Sequence, residues 1–241
     1  MPIIKLDAID STNDYLKLLS KERDVENYTI VIANEQTKGK GQMGAKWISE
    51  PGKNLTMSIL VKYVQVNYQN IFILNVAISL AIIDVLDDFN IPDIKIKWPN
   101  DIMSGTKKVT GILIENAIKH DGSFNSVIGI GLNLNQTNFD HFPQATSLSC
   151  ITSNIYEIET TAIIIGKSIE KYFSTLTENQ DMYWLKYHEN LYKINYPSTF
   201  EDKQGNRFMG VIKKVTTDGK LEVLVDDGNM KYFEVKEIKM L

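Results

Sequence analysis

The chain of 241 residues contains one cysteine, Cys150, and three histidines, His120, His141 and His188. A single thiol cannot close an intramolecular disulfide, which fits a reducing compartment. With no CxxC and so few imidazoles, no zinc ligand set can be assembled. Long hydrophobic runs are also lacking. The most apolar stretch, Ile71 to Leu86, is interrupted by Asn75, Ser79 and Asp84, so no membrane span is predicted. No basic segment precedes an apolar run near Met1, so no signal peptide is predicted and the chain reads as cytoplasmic. A basic excess is missing too: 26 Lys and Arg against 30 Asp and Glu leave a net charge of −4, which argues against a life on the phosphate backbone of nucleic acid. There are no internal repeats and no low-complexity tract.

What is present is ordinary for a folded protein: 43% hydrophobic, 10% aromatic and 23% charged residues, which excludes a disordered or fibrous chain. The length allows one large domain with a small one, and a core that needs no staples. Asp10-Ser11-Thr12-Asn13 ahead of Tyr15, Leu16, Leu18 and Leu19 predicts a capped helix. Strands are predicted at Tyr28–Asn34, Leu55–Tyr63, Ile94–Trp98, Lys108–Ile118 and Phe124–Asn135, the last two joined by a hairpin signal at His120-Asp121-Gly122. Asn70–Phe89 is apolar nearly all round and predicts a buried helix. Two amphipathic helices follow at about Tyr156–Leu176 and Gln180–Leu191. After Tyr196-Pro197, short β-rich runs alternate with Asp202-Lys203-Gln204-Gly205, Asp218-Gly219 and Asp227-Gly228, which suggests a small barrel packed on the main domain.

Three stretches invite chemistry. Gly39-Lys40-Gly41-Gln42-Met43-Gly44 matches G-x-G-x-x-G literally, within a long polar loop from Thr37 to Asn54. The dinucleotide reading fails, because Ser49-Glu50-Pro51-Gly52 stands where a helix is required and no Asp or Glu lies between Pro51 and Ile83. The Walker pattern is absent. The loop can wrap an anion, or it is a solvated surface loop. In Ile128-Gly-Ile-Gly-Leu-Asn-Leu-Asn135, alternation places Ile128, Ile130, Leu132 and Leu134 toward the core and Gly129, Gly131, Asn133 and Asn135 on the other face. Two glycines on one strand face suggest a ligand lying flat against the backbone, or else a bulge or tight helix crossing. Trp98-Pro99-Asn100-Asp101 ends a strand, placing Asn and Asp where ligand sites of α/β sheets commonly lie, or making a plain Asx turn. Lys108 then opens a buried strand and can aim an ammonium into a pocket, or snorkel to solvent.

In chain order, Ser11-Thr12-Asn13, Gln36 followed by the glycine loop and Trp47, Lys97-Trp98-Pro99-Asn100-Asp101, Lys108 to Glu115, and Gly129-Ile-Gly-Leu-Asn-Leu-Asn135 together resemble the biotin–protein ligases. The likeness runs from about Lys5 to the C-terminus and includes Ala145-Thr146-Ser147-Leu148. It resembles the short form, without the N-terminal DNA-binding domain of some members, because its motifs begin by Ser11. The resemblance implies an α+β fold: a mixed sheet backed by helices over residues 1–192, then a small SH3-like β-barrel over residues 193–241. It implies two steps. Biotin and MgATP give biotinyl-5′-adenylate and pyrophosphate. A lysine of a biotin carboxyl carrier protein, or of a carboxylase carrier domain, then attacks the anhydride.

By the same resemblance, Lys108 and Lys40 are catalytic, with Lys108 between the biotin carboxylate and the α-phosphate and Lys40 on phosphate oxygens. Ser11, Thr12, Asn13, Gln36, Lys40, Gly41, Gln42, Lys108 and Gly131 bind biotin. Gly39, Lys40, Gly44, Trp47, Asn133 and Asn135 bind the nucleotide, with Trp47 on the adenine. Asp101, with Asn100 beside it, holds Mg2+. A homodimer is compatible with the resemblance; a membrane or DNA partner is not expected.

The family's loop commonly reads Gly-Arg-Gly-Arg-x-Gly-Arg, and here the arginines are Lys40, Gln42 and Ala45. Lysine keeps the charge but loses the bidentate fork. Gln42 has no charge, so these departures bear on retention of the adenylate rather than on the type of reaction. Two other readings compete: a lipoate-type acyl ligase of the same superfamily, whose chains lack this Trp-Pro-Asn-Asp and Gly-Ile-Gly-Leu-Asn pair, and a non-catalytic biotin or adenylate binder, against which Lys108 argues.

Overall fold

Alternating side chains give each predicted strand two faces, and the protein covers both with helices. The computed structural model describes residues 1–64, 66, 68–118 and 123–241, with the side chain of residue 68 left aside. The first elements are β1 (Ile3–Ile9), α1 (Thr12–Glu22), β2 (Ile30–Gln36), β3 (Leu55–Val64) and α2 (Ile73–Asp88). Next come β4 (Ile94–Lys97), β5 (Asp101–Ser104), β6 (Lys107–Ile118) and β7 (Phe124–Leu132). The seven strands form one mixed sheet in the order β1-β2-β3-β7-β6-β5-β4. Only β1 and β2 run parallel; the other neighbours are antiparallel.

Helix α2 is buried on nearly every side, as its apolar surround predicts. It packs with α4 (Ile158–Ser174) and α5 (Gln180–Glu189), which follow a five-residue α3 (Leu148–Thr152), against one sheet face. Ile128, Ile130 and Leu132 point into that core. The opposite face holds a smaller cluster in which Leu16 of α1 meets Val31, Leu60 and Val127. Beyond that cluster the face is free to form a cleft.

At the C-terminus, β8 (Pro197–Asp202), β9 (Arg207–Val215), β10 (Leu221–Val225), β11 (Met230–Phe233) and β12 (Ile238–Met240) form an antiparallel sheet in the order β11-β10-β9-β8-β12. It packs on the main domain, as its thin core predicts: Phe200, Ile212 and Leu221 belong to the same buried cluster as α2. Trp98 Nε1 donates to Gly219 O at 2.9 Å, and His188 Nε2 lies 3.1 Å from Val215 N.

Two strands escaped the sequence reading. β1 is a half-exposed edge strand whose parallel partner lies far along the chain. β5 begins immediately after Pro99-Asn100, so that turn joins two strands rather than closing off the sheet. The hairpin signal at 120–122 lies outside the described residues, while the antiparallel ladder between β6 and β7 that it announced is present.

Candidate active site

The cleft, of about 620 Å³, opens between α1, the glycine face of the main sheet, the loop after β2 and the C-terminal sheet. That size suits a small ligand. Its first wall is the start of α1. Ser11 caps the helix, its Oγ accepting from Asp14 N at 3.4 Å, and Ser11, Thr12 and Asn13 are buried. Thr12 donates to Gln36 Oε1 through its N–H at 2.8 Å and its hydroxyl at 3.0 Å. Asn13 donates to Glu115 Oε2 at 2.8 Å and lies 2.5 Å from Ser58 Oγ. These contacts hold three cleft-lining polar groups in place before any ligand arrives.

The floor is made by glycines. A Cβ at Gly129 would lie 2.5 Å from Asn13 Oδ1, and one at Gly131 would lie 2.3 Å from Trp47 Cε2. The flat face read from the sequence is therefore real, and Trp47 lies on it. Asn133 and Asn135 do not line the cleft. They follow the last residue of β7, Leu132, and their amides hold the segment before α4. Asn133 donates to Thr146 O at 3.0 Å, and Asn135 donates to Tyr156 O at 2.8 Å while accepting from Ser149 Oγ. Leu134 still falls in the core with Ile128, Ile130 and Leu132, as alternation predicts, while the two asparagine amides are engaged with backbone outside the cleft lining.

The roof is the glycine loop, which is more regular than a polar run suggests. Lys40 bridges Lys46, Gly41 N donates to Ala45 O at 2.7 Å, and Trp47 N donates to Gly39 O at 3.0 Å. Gly41, Gln42, Lys40 and Trp47 line the cleft. Gly44 sits at the exposed turn with φ +81°, and Gly39 lies against the Trp47 carbonyl; neither lines the cleft. Two loop lysines are tied to α1 and its cap: Lys38 to Asp10 at 2.7 Å, and Lys40 to Asp14 at 2.5 Å. Burial works to raise the pKa of Asp14, but Lys40 and Lys17 outweigh it and hold the carboxyl below its ordinary range. Lys236, in the turn between β11 and β12, donates to Met43 O. The indole N–H of Trp47 is buried with no acceptor among the described residues.

At the far end, Lys108 Nζ lies 2.6 Å from Asp101 Oδ1 and 5.6 Å from the Trp47 ring centroid. The pair comes from the register of β5 with β6. Asn100 is engaged with backbone, donating to Ile112 O at 2.6 Å. Lys97, next to them, is half-buried. Burial lowers its pKa, the charges of Lys108 and Lys239 push the same way, and Asp101 opposes them. The side supplied by the C-terminal sheet, including Phe200, Ile212 and Lys239, has no local signature in the sequence. Among the described residues no group of three or more His, Cys, Asp or Glu could hold a metal alone.

A polar pocket at a helix start, a flat floor and a cation at the other end together accept a small molecule with one polar head and one anionic tail. Comparison with known proteins agrees: residues 6–133 match the biotin/lipoate A/B protein ligase family. The chain belongs to that family. Among curated relatives, the bifunctional ligase/repressor BirA of Bacillus spizizenii is 34% identical over 152 residues, covering 61% of this chain and 46% of that protein. The biotin–[acetyl-CoA-carboxylase] ligase of Mycobacterium tuberculosis is 34% identical over 142 residues, covering 57% and 51%. The chain thus matches about half the length of these relatives. Among solved structures, the biotin protein ligase from Aquifex aeolicus in complex with biotin and ATP superposes with TM-score 0.79 at 24% identity, covering 100% of this chain and 98% of that one. This likeness extends the shared fold through the C-terminal sheet.

Proposed function

We propose that this family member is an ATP-dependent biotin–protein ligase: it forms biotinyl-5′-AMP and transfers biotin to a lysine of a biotin carboxyl carrier protein or carboxylase carrier domain. The observation that carries the reading is the alignment, in one cleft, of Thr12 and Gln36, the Gly129–Gly131 floor and the Lys108–Asp101 pair. The likeness to relatives that are biotin ligases supports it. Ser11, Thr12 and Gln36 would receive the ureido head of biotin, with Asn13 as the support that positions them. Lys108 would sit between carboxylate and α-phosphate, where attack of one anion on another needs neutralisation and alignment more than covalent help. Gly41, Gln42, Lys40 and the backbone at Gly131 would close over biotin, and Trp47 would move from the glycine floor onto the adenine. Mg2+ suits a site with one carboxylate plus substrate phosphates, and Asp101 would hold it. The ion would supply further neutralisation of the phosphates.

The same reading treats residues 1–192 as the catalytic domain and residues 193–241 as an SH3-like barrel. It takes the protein to act in the cytoplasm, on protein and not on DNA or membrane; no helix among the described residues is long and apolar enough to cross a bilayer. It leaves room for a homodimer. The test is pyrophosphate release with ATP and biotin, lipoate or neither. Biotin-dependent release is expected. Release with lipoate alone would assign a lipoate-type ligase, and none with either would assign a non-catalytic binder.

A further inference from the structure

Glu115 does not line the cleft, yet it holds one of the residues that do. Alternation along β6 puts it on the same face as Gly111 and Leu113. Its carboxylate meets α1 twice: Oε1 accepts from Lys17 Nζ at 2.6 Å, and Oε2 accepts from Asn13 Nδ2 at 2.8 Å. Burial works against the charge of Lys17, but Glu115 and Asp14 outweigh it and hold its pKa above the ordinary value. A carboxylate paired with an ammonium only accepts. Asn13 must therefore turn its NH2 to Glu115 and its carbonyl to Ser58, whose Oγ lies 2.5 Å from Asn13 Oδ1 and 2.7 Å from Thr12 Oγ1. Ser58 has one proton for the two, and it goes to the Asn13 carbonyl, which has none of its own. Thr12 then sends its hydroxyl proton inward, to Ser58 or to Gln36 Oε1 at 3.0 Å, and faces the cleft with lone pairs. Gln36 Oε1 also receives the Thr12 N–H, so Gln36 keeps its NH2 for a ligand. Thr12, Asn13 and Ser58 are all buried, which keeps bulk water from re-sorting these protons.

We propose that Glu115 is a positioning residue that sets the hydrogen-bond polarity of the pocket at the start of α1: acting through Asn13 and Ser58, it leaves Thr12 Oγ1 an acceptor and so selects a ligand head with an N–H donor at that point. The proposal rests on the functional reading above and deepens it, since a cyclic urea carries an N–H on each side of its carbonyl. A cyclic carbamate, in which a ring oxygen replaces one N–H, has nearly the same shape but sets lone pair against lone pair. The relay rejects it by unpaired polar groups rather than by a clash. Lys17 has a share in the device. Beside its ammonium, a glutamine at position 115 would point its carbonyl at Lys17 and its NH2 at Asn13. Asn13 would then reverse and donate to Ser58, and the Ser58 proton would move onto Thr12 Oγ1 and occupy the lone pair that the ligand needs.

The experiment is calorimetric titration of the 241-residue chain with biotin and with its two cyclic carbamate analogues, one for each ring N–H, for wild type, Glu115→Gln, and Glu115→Gln combined with Lys17→Met. Wild type is expected to prefer biotin over one of the carbamates by about tenfold or more, and Glu115→Gln to lose most of that preference. Removing Lys17 as well frees the glutamine to turn its carbonyl back to Asn13, so the double variant should regain it. A merely structural role would weaken biotin and carbamate alike. An unchanged preference in Glu115→Gln, whatever its affinity, would therefore overturn the proposal, as would a double variant that behaves like the single one. Should Glu115→Gln fail to fold, Glu115→Leu removes the orienting carboxylate without offering a donor; the same loss is expected, and an unchanged preference would again overturn the relay. A second readout needs no ligand. In nuclear magnetic resonance spectra of the free protein, the Asn13 side-chain NH2 should lie close to the Lys17 and Glu115 methylenes in wild type and to the Ser58 methylene in Glu115→Gln. If the amide reverses in this way but wild type binds no biotin, the relay stands and the functional reading falls. If biotin binds with a preference untouched by Glu115→Gln, the reverse holds.

Discussion

At the scale of single residues, the site combines rigid polar anchors with two glycines that differ in what confronts them. Asn13, above Gly129, is held by Ser58 and Glu115 and cannot step aside. Trp47, above Gly131, belongs to a loop and can. Gly129→Ala is therefore expected to lower stability by about 1–3 kcal/mol as an overpacking change. Gly131→Ala should leave the thermal midpoint nearly intact but block biotin-dependent pyrophosphate release. Equal midpoints for both variants would contradict this contrast. Lys108→Ala should keep the fold and lose adenylation by roughly 3 kcal/mol or more in the chemical step; near-normal pyrophosphate release would remove Lys108 from its proposed role. The motif residues at this scale were legible because each carries a strong local signal: a cap, a Gly-x-Gly face, a lysine opening a strand. That the amides of Asn133 and Asn135 engage the segment around Thr146 to Tyr156 was not legible, because those partners are distant in the sequence.

At the scale of elements, the loop between β2 and β3 is the part whose behaviour matters most. Backbone hydrogen bonds shape it over the glycine floor, and the exposed pairs Lys38–Asp10 and Lys40–Asp14 link it to the start of α1, pairs of long-range origin that no window of sequence displays. Lys40 thus has two claims on its charge, Asp14 in the free protein and phosphate in the proposed complex. Trp47 likewise has two resting places, the floor in this structure and the adenine in the proposed complex. Biotin with ATP should accordingly protect residues 37–49 from proteolysis, and equal nicking with and without ligand would contradict loop closure. Retention of the adenylate is the second test. With Gln42 uncharged, Lys40 is expected to compensate, so Lys40→Ala should speed escape of the adenylate while Gln42→Arg changes it little. If Gln42→Arg slowed escape by an order of magnitude, about 1.4 kcal/mol, the native loop would be leaky. Buried α2 and the β6–β7 ladder were readable from periodicity. Edge strand β1 was not, because its half-exposed pattern resembles a loop until β2 pairs with it.

At the scale of the whole molecule, two sheets meet over the cleft, and this junction was the least legible feature, since no local pattern records which distant strands will touch. His188 lies in it, stacked on Trp184 at 5.5 Å and next to Val215. Burial lowers its pKa, outweighing the Val215 carbonyl, with Lys214 adding to the effect. The folded state then holds this imidazole neutral, and the stability it protects is complete above the ordinary histidine value. That stability is lost as pH falls below about 6.5. Between pH 7.5 and 5.5 the thermal midpoint of wild type should fall more steeply than that of His188→Gln; parallel curves would contradict the assignment. The junction also gives the C-terminal sheet a share in the cleft, so the catalytic unit is expected to need the whole chain. The central claim is that this cleft joins biotin to protein, and one incubation decides it most directly. The 241-residue chain is mixed with ATP, labelled biotin and a carboxylase carrier domain, and the carrier is analysed by mass spectrometry. The account predicts one biotin on the carrier, in amide linkage to a single lysine, dependent on ATP and absent with Lys108→Ala. An unlabelled carrier with the wild-type protein, or label unaffected by Lys108→Ala, would contradict it.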